Sequence, residues 1–82
     1  MPIDLILYST LGCHLCEQAE AMIAHTLQPK DYRLQVVEIS DSAELVEKYG
    51  IRIPVVRRED LAQEIGWPFQ PQDLLKFIAL PR

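Results

Sequence analysis

Two cysteines are the residues of this sequence best suited to chemistry. Cys13 and Cys16 are the two cysteines of the 82-residue chain, and His14 and Leu15 separate them. They fall where a β-rich apolar segment gives way to helical spacing, which puts Cys13 at the start of the first predicted helix. Unpaired N–H groups at a helix N-terminus favour negative charge, and the thiolate is the reactive form of cysteine. The position therefore favours a thiolate at Cys13.

The same spacing allows the two sulfur atoms to meet. Residues three apart on a helix share a face, so Cys13 and Cys16 can close a small disulfide ring that opens again. We expect Cys13 to attack a substrate disulfide, and the deeper Cys16 to attack Cys13 and release the reduced substrate. Glu17 and Glu20 oppose the thiolate, whereas His14 favours it when protonated. Both cysteines are thus predicted to be catalytic residues of thiol–disulfide exchange.

Other interpretations of the pair stay open. C-x-x-C is also half of a zinc site, but structural zinc takes four ligands. The remaining soft donors are His14, which adjoins the pair, and His25, which lies three turns along the helix and cannot reach it. A C-x-x-C that opens a helix within a βαβ pattern favours redox chemistry, so we predict no metal site. The alternatives are an inert buried pair, a binding or adaptor module without turnover, and a metal centre shared by two chains.

The first half of the chain supplies the elements that position the cysteines. Residues 3–8 are almost continuously apolar, as in a strand covered on both faces. From residue 13 to about 26 the spacing is that of an amphipathic helix. Its apolar stripe consists of Leu15, Ala19, Met22 and Thr26, with Cys16 and Ile23 beside them. A second strand is predicted at 33–39. It should run parallel to the first, because the two are joined through a helix in a right-handed crossover.

The second half of the chain completes a mixed sheet. A short helix is predicted to begin at Asp41, with Glu44 completing a capping box and Gly50 in left-handed conformation at its end. Residues 54–57 and 61–65 are predicted to form an antiparallel hairpin around a polar turn at 58–60. A last helix begins at Pro71. The order β-α-β-α-β-β-α predicts one α/β domain, residues 1–82, with a four-stranded sheet flanked by three helices.

Charge and composition exclude several classes of function. The formal net charge is −4 and the eight basic residues are scattered, so the basic stripe of a nucleic-acid-binding protein is missing. The apolar runs are too short to span a bilayer. The start of the sequence, MPIDL, lacks the basic region of a signal peptide. We expect a cytoplasmic monomer that binds neither nucleic acid nor membrane, in a reducing compartment where a structural disulfide would not persist.

Three stretches of the sequence resemble glutaredoxins, and more broadly the redoxins of thioredoxin fold. They are residues 6–16 (ILYSTLGCHLC), 49–56 (YGIRIPVV) and 66–69 (GWPF). The resemblance spans nearly the whole chain and implies a thioredoxin-like fold and a thiol–disulfide oxidoreductase or electron carrier. It also implies that no cofactor is tightly bound and that the electron source is glutathione, as a co-substrate, or thioredoxin reductase. The substrate would be a disulfide in a protein or a small molecule.

The resemblance also implies which residues bind substrate. Pro54 matches the family's cis-proline that faces the cysteines, and Ile53 would then offer its backbone N–H and C=O to an extended substrate, as in strand addition. Arg52 would hold a substrate carboxylate or remain a solvated loop charge. The remaining candidates are His14, between the cysteines, and two aromatic residues that could border the site or belong to the core, Tyr8 and Trp67.

Three departures from the family pattern bear on the electron donor. The residues between the cysteines are His14 and Leu15, where glutaredoxins typically have Pro-Tyr. Thr10 stands where they have a lysine, three residues before the first cysteine. The segment 66–71 lacks the Gly-Gly-acid motif that binds the ends of glutathione. It is closer to the redoxin that serves ribonucleotide reductase and is reduced by thioredoxin reductase.

Overall fold

The central strand β1, Ile3–Ser9, explains the arrangement of the sheet, because both of its faces are covered. In the computed structural model, which describes residues 2–82, Leu5 and Leu7 are buried on one face and Tyr8 on the other. Met1, the first residue of the predicted domain, lies outside the described residues. The other elements are α1 (His14–Thr26), β2 (Tyr32–Glu38), α2 (Ala43–Tyr49), β3 (Val55–Arg58), β4 (Gln63–Gly66) and α3 (Pro71–Ala79).

The sheet has the predicted mixed topology. Its strand order is β2-β1-β3-β4. β1 pairs in parallel with β2 and antiparallel with β3, and β3 and β4 form an antiparallel hairpin. The element order, the four-stranded mixed sheet and the three flanking helices are therefore confirmed.

Two apolar clusters hold the helices against the sheet. The larger contains Leu5, Leu7 and Val56 of the sheet. Helices α1 and α3 pack against these residues and contribute Ala19, Ile23, Leu74 and Phe77, and Leu27, just after α1, joins them. The smaller lies on the other face under α2 and contains Tyr8, Ile39, Tyr49 and Val55. Since the cysteines open α1, they belong to the two-helix face. No helix among residues 2–82 has the length and apolar character needed to cross a membrane.

Helix α1 turns a slightly different side to the core than the sequence predicts. Its buried residues are Cys16, Ala19 and Ile23, whereas Leu15, predicted as part of the apolar stripe, is 45% exposed. The expectation for Leu15 was wrong because the next position, Cys16, takes the buried side of the helix, which turns Leu15 outward. An apolar side chain is thereby left at the surface between the two cysteines.

The ends of α2 differ from the prediction. Ser42, and not Asp41, caps the helix, since its hydroxyl accepts the Leu45 N–H at 3.3 Å. Gly50 has φ −52° and ψ −37°, so the predicted left-handed conformation was wrong. The backbone stays right-handed there, and a Cβ on Gly50 would collide with the carbonyl oxygen of Val46.

The largest error of the sequence analysis concerns Arg58. It was expected in a polar turn, but it is the last residue of β3 and its side chain is completely buried. One of its nitrogens, Nη1, donates to three carbonyl oxygens at the end of α3, those of Phe77, Ile78 and Leu80, at 2.9, 3.1 and 2.8 Å. Its other two nitrogens donate to the carboxylate of Asp60 at 2.9 and 2.7 Å. Arg58 therefore ties β3 to the end of the last helix.

The hairpin turn lies slightly further along the chain than the sequence predicts. β3 starts at Val55 instead of Pro54, and β4 runs from Gln63 to Gly66 instead of 61–65. Ala62 has φ 55°, the left-handed conformation that L-residues with a side chain seldom adopt. The turn thus reverses the chain just before Gln63. Because the left-handed residue is an alanine and not a glycine, the sequence did not indicate a turn at this position.

Candidate functional site

The cysteine pair forms the start of α1, as its spacing predicts. Cys13 is the N-cap residue, with extended backbone, and its Sγ accepts a hydrogen bond from the Cys16 N–H at 3.1 Å. The two sulfur atoms are joined in a disulfide, with the Cα atoms 5.2 Å apart. Cys13 is half-buried, whereas Cys16 is only 2% exposed. The arrangement offers one sulfur to the solvent and keeps the other behind it.

The loop before Cys13 is shaped by a glycine. Gly12 has φ 78°, and no atom lies within 4 Å of where a Cβ would be. Its left-handed conformation, and not close packing, is therefore what favours glycine here. The Cys13 N–H donates to the carbonyl oxygen of Thr10 at 3.3 Å, which closes the turn.

Glu38, which the sequence analysis did not single out, holds this loop in place. One of its carboxylate oxygens accepts the Leu11 N–H at 2.9 Å and the other accepts the Ser40 N–H at 3.0 Å. The bond from Ser40, followed by one from the Thr10 side chain, keeps the pKa of Glu38 below its usual value. A signal was present in the sequence, because parallel pairing brings the end of β2 beside the end of β1; the register pairs Glu38 with Ser9.

A cleft of about 270 Å³ opens beside the disulfide. Both cysteines line it, and Cys13 is the more exposed of the two, so a substrate can approach Cys13 from this side. Three carboxylates share the lining, together with loop residues and one edge-strand side chain. The full set is Ser9, Thr10, Leu11, Gly12, Cys13, Cys16, Glu17, Glu20, Val36 and Glu38.

Pro54 lies at the same end of the sheet as the cysteine loop. The β1–β3 register pairs Tyr8 with Val55, so Pro54 stands opposite Ser9. The Ile53–Pro54 peptide bond is cis, as the resemblance to glutaredoxins implied. Pro54 itself is buried, and its carbonyl oxygen accepts the Trp67 N–H at 3.0 Å.

The backbone N–H of Ile53 forms a hydrogen bond within the protein. Its N–H, predicted to pair with substrate, donates to the carbonyl oxygen of Tyr49 at 3.0 Å. Binding of an extended substrate to this N–H would require the loop to release that bond. Substrate binding by Ile53 and Pro54 stays a prediction.

Arg52 belongs to a polar network at the protein surface. Its guanidinium lies 3.4 Å from the carboxylate of Glu64 and above the ring of Tyr49, whose hydroxyl also donates to Glu64. Burial raises the pKa of Glu64, but hydrogen bonds from Tyr49 and Arg52 and the charge of Lys48 outweigh it, so the net shift is downward. Binding of a substrate carboxylate by Arg52 would compete with this network and stays a prediction.

The two aromatic candidates pack into the body of the molecule. Tyr8 is 8% exposed and stacks on Tyr49 with ring centroids 4.0 Å apart. Burial, followed by the hydrogen bond with Tyr49, raises the pKa of Tyr8. Trp67 is half-buried and meets Phe69 edge to face, with centroids 5.1 Å apart. These contacts give both residues a packing role, and their predicted contact with substrate remains untested.

The remaining candidate, His14, is exposed beside the disulfide, with its Nδ1 3.4 Å from a carboxylate oxygen of Glu17. Among residues 2–82, no three His, Cys, Asp or Glu side chains come together as a metal site would require. A second cis bond, Trp67–Pro68, was not predicted from the sequence; it lies in the segment that contacts Pro54.

Comparison with known proteins agrees with this geometry. Residues 4–79 match the family model described as "Glutaredoxin-like domain (DUF836)". The chain belongs to this glutaredoxin-like family. No curated protein matches it.

Two solved structures share the fold of this glutaredoxin-like domain. The X-ray structure of protein XcR50 from X. campestris is 36% identical, with a TM-score of 0.82, over 94% of this chain and 99% of that one. The solution structure of protein Ne2328 from Nitrosomonas europaea is 28% identical, with a TM-score of 0.79, over 94% of this chain and 92% of that one. The glutaredoxin-like fold and a cysteine pair suited to thiol redox chemistry are therefore established together.

Proposed function

We propose that this glutaredoxin-like domain is a dithiol–disulfide oxidoreductase that reduces disulfides through Cys13 and Cys16. The single observation that carries the proposal is the cysteine pair at the start of α1, with one sulfur partly exposed and the other buried behind it. The Cys16 N–H lies 3.1 Å from the Cys13 sulfur and would stabilise its thiolate in the reduced state.

The reaction has two exchange steps. The Cys13 thiolate attacks a substrate disulfide, so that a bond forms between Cys13 and one substrate sulfur while the other leaves as a thiolate and takes up a proton. Cys16 then loses its proton and attacks Cys13, which expels the second substrate thiol and leaves the Cys13–Cys16 disulfide. Two electrons pass from the protein to the substrate. Cys16 supplies one of the two protons and the solvent supplies the other, because Cys13 starts as a thiolate.

The protein must then be reduced again by a thiol donor. Glutathione as a co-substrate and thioredoxin reductase are the two donors proposed. Either two glutathione molecules, which leave as glutathione disulfide, or one reduced thioredoxin reductase supply the two electrons of a cycle. No tightly bound cofactor is needed for either route. A reducing compartment such as the cytoplasm would keep the pair available as a dithiol.

The test is reduction of insulin or of hydroxyethyl disulfide, with each of the two electron donors in turn. We expect the wild-type protein to turn over with at least one donor, and Cys13→Ser to show no turnover with either. Cys16→Ser is the informative control, because it keeps the attacking sulfur but not the resolving one. It should accumulate a mixed disulfide on Cys13 that mass spectrometry detects.

The result that would overturn the proposal is a wild-type rate equal to that of Cys13→Ser with both donors. A protein that bound a partner without turnover would instead be the adaptor module considered above. A metal found in anaerobically purified protein, with Cys13 as its ligand, would point to the shared metal centre.

A further inference from the structure

The cleft beside the disulfide carries charges that the exchange reaction itself does not use. Glu17, Glu20 and Glu38 line it together with the cysteines. No Lys or Arg lines the cleft in the part of the chain that the structure describes. His14 lies against Glu17 and, when protonated, would offset one of the three carboxylates.

The protein's cations are engaged elsewhere. Five of its eight basic residues form ion pairs with acids outside the cleft. The pairs are Arg33 with Asp4, Arg52 with Glu64, Arg57 with Glu59 and Glu64, and both Arg58 and Arg82 with Asp60. These pairs compensate acids on other parts of the surface, and among the described residues none of the three cleft carboxylates pairs with a Lys or Arg.

One of the three carboxylates is fixed in position. Glu38 accepts hydrogen bonds from the Leu11 and Ser40 N–H groups, and these bonds favour its ionised form. Its charge is therefore held at the cleft wall, whereas a free surface side chain would swing through solvent. Glu17 and Glu20, one turn apart on α1, face the same space from the helix.

The cleft also offers apolar contacts, and its size suits side chains. Leu11 in its lining is 92% exposed and Val36 is 47% exposed. Its volume of about 270 Å³ is below the roughly 300–1,000 Å³ of pockets that enclose whole small-molecule ligands. One or two side chains of a longer chain would fit it better than an enclosed small molecule.

We propose that this cleft selects polypeptide disulfides flanked by basic side chains and disfavours anionic partners, glutathione among them. The inference rests on the proposed function and names the class of substrate for the same site. A Lys or Arg beside the substrate cysteine would be attracted by the three carboxylates, while its stem packs on Leu11 and Val36. Glutathione, with two carboxylates and one ammonium group, carries net negative charge and would be repelled.

The test uses the pre-reduced full chain in single turnover, so that no external electron donor is needed. Three disulfide-linked peptides are compared that differ only in the residues flanking the cysteine: Lys, Ser or Glu. The two-electron reduction of each is followed by chromatography, at low salt and at 0.5 M salt. Charge attraction acts over longer distances at low salt, where the screening length is about 30 Å at 0.01 M.

We expect the Lys peptide to react faster than the Ser peptide, and the Ser peptide faster than the Glu peptide. The ratio of Lys to Glu rates should be about tenfold or more at low salt and should shrink at high salt. The variant E17Q/E20Q should lower that ratio at least about threefold. The matched control E44Q/E47Q removes the same charge from α2, on the opposite face of the sheet, and should leave the ratio nearly unchanged.

The outcomes separate this inference from the proposed function. Equal rates for the three peptides, or a ratio unchanged by E17Q/E20Q, would overturn the substrate class while the redox activity stands. A ratio lowered equally by both double variants would mean that net charge, and not the cleft, selects the substrate. Reduction of none of the peptides would overturn the proposed function and this inference with it.

Discussion

The beginning of α1 and the end of α3 lie on the same face of the sheet, and in each the unpaired backbone groups of the helix are capped by a side chain of a different kind. A helix leaves N–H groups unpaired at its start and C=O groups unpaired at its end. At α1 the acceptor is the sulfur of Cys13, which is half-buried and bonded to Cys16. At α3 the donor is the guanidinium of Arg58, which is fully buried and also donates hydrogen bonds to the Asp60 carboxylate.

The Cys13 cap of α1 can therefore react, whereas the Arg58 cap of α3 is permanent. Reduction converts the Cys13 cap from a disulfide sulfur to a thiol or thiolate, so its charge changes during the proposed cycle. Arg58 keeps its positive charge at every accessible pH, and its burial makes an unpaired state costly. We therefore expect stability to reside in the α3 end and reactivity in the α1 end, with little overlap.

The largest effect expected is that of Arg58→Ala. Removing the guanidinium leaves three carbonyl oxygens without their donor and leaves Asp60 with Arg82 as its partner, which should lower the free energy of unfolding by about 3–5 kcal/mol. Urea unfolding of the oxidised protein measures this loss. The alkylation rate of reduced Cys13 in the folded fraction should stay as in the wild type.

The neighbouring arginine provides the matched control. Arg57 is 25% exposed on the other face of β3 and pairs with Glu59 and Glu64 at 3.7 and 3.4 Å. Arg57→Ala should cost only about 0–1 kcal/mol, as partly exposed ion pairs do. Equal losses of unfolding free energy in the two variants, or a changed Cys13 reactivity in Arg58→Ala, would contradict the view that stability resides at the end of α3 and reactivity at the start of α1.

These two arginines also show where sequence analysis reaches its limit. The strands, the helices and the cysteine pair at the start of α1 follow from local patterns, and those expectations were confirmed. Arg58 was placed in a turn because a charged residue is seldom fully buried unless it is paired. Its partners at the end of α3 lie 19 to 22 residues away in the sequence, and no local sequence pattern predicts these hydrogen bonds.

The candidate site divides in the same manner. The meeting of the two sulfurs follows from a three-residue spacing, and the cis Ile53–Pro54 bond was implied by family resemblance. Glu38 was missed because its role depends on strand register. The internal bond of the Ile53 N–H was missed because it depends on how the loop after α2 folds back on Tyr49.

Acid should weaken the α3 end through Asp60. Hydrogen bonds from Arg58 hold the pKa of Asp60 below its usual value, about 3.9 in an unfolded chain. A depressed folded-state pKa contributes stability that is complete above the unfolded value and is lost as the pH falls through the folded one. Unfolding free energy should therefore fall below about pH 4, and less steeply in Asp60→Asn.

The control for the acid limb is Asp4→Asn, because Asp4 also pairs with an arginine, Arg33, but at an exposed position. Its curve of unfolding free energy against pH should parallel that of the wild type between pH 5 and pH 2. If Asp4→Asn flattened the curve as much as Asp60→Asn, the acid sensitivity would belong to carboxylates in general and not to the Arg58 cap.

The smallest effect is expected at the α1 end, from Glu38. Its carboxylate joins β2 to the loop before Cys13 through the Leu11 N–H, so Glu38→Ala should loosen that loop and change the alkylation rate of reduced Cys13 by a few-fold. Because Glu38 is only half-buried, unfolding free energy should change much less than in Arg58→Ala. Glu38→Gln keeps an accepting oxygen and should restore most of the wild-type rate.

Glu20→Gln separates position from charge in this test, since Glu20 lines the same cleft and the loop is not tied to it. A rate altered in Glu38→Ala but nearly normal in Glu38→Gln and Glu20→Gln identifies the hydrogen bond to Leu11 as the cause. If both glutamine variants shift the rate as far as Glu38→Ala does, the carboxylates act on Cys13 through charge alone. The reactivity of Cys13 would then depend on the negative charge around it and not on a loop held in place by a hydrogen bond. The α1 end would differ even more from the α3 end, where hydrogen bonds fix the structure.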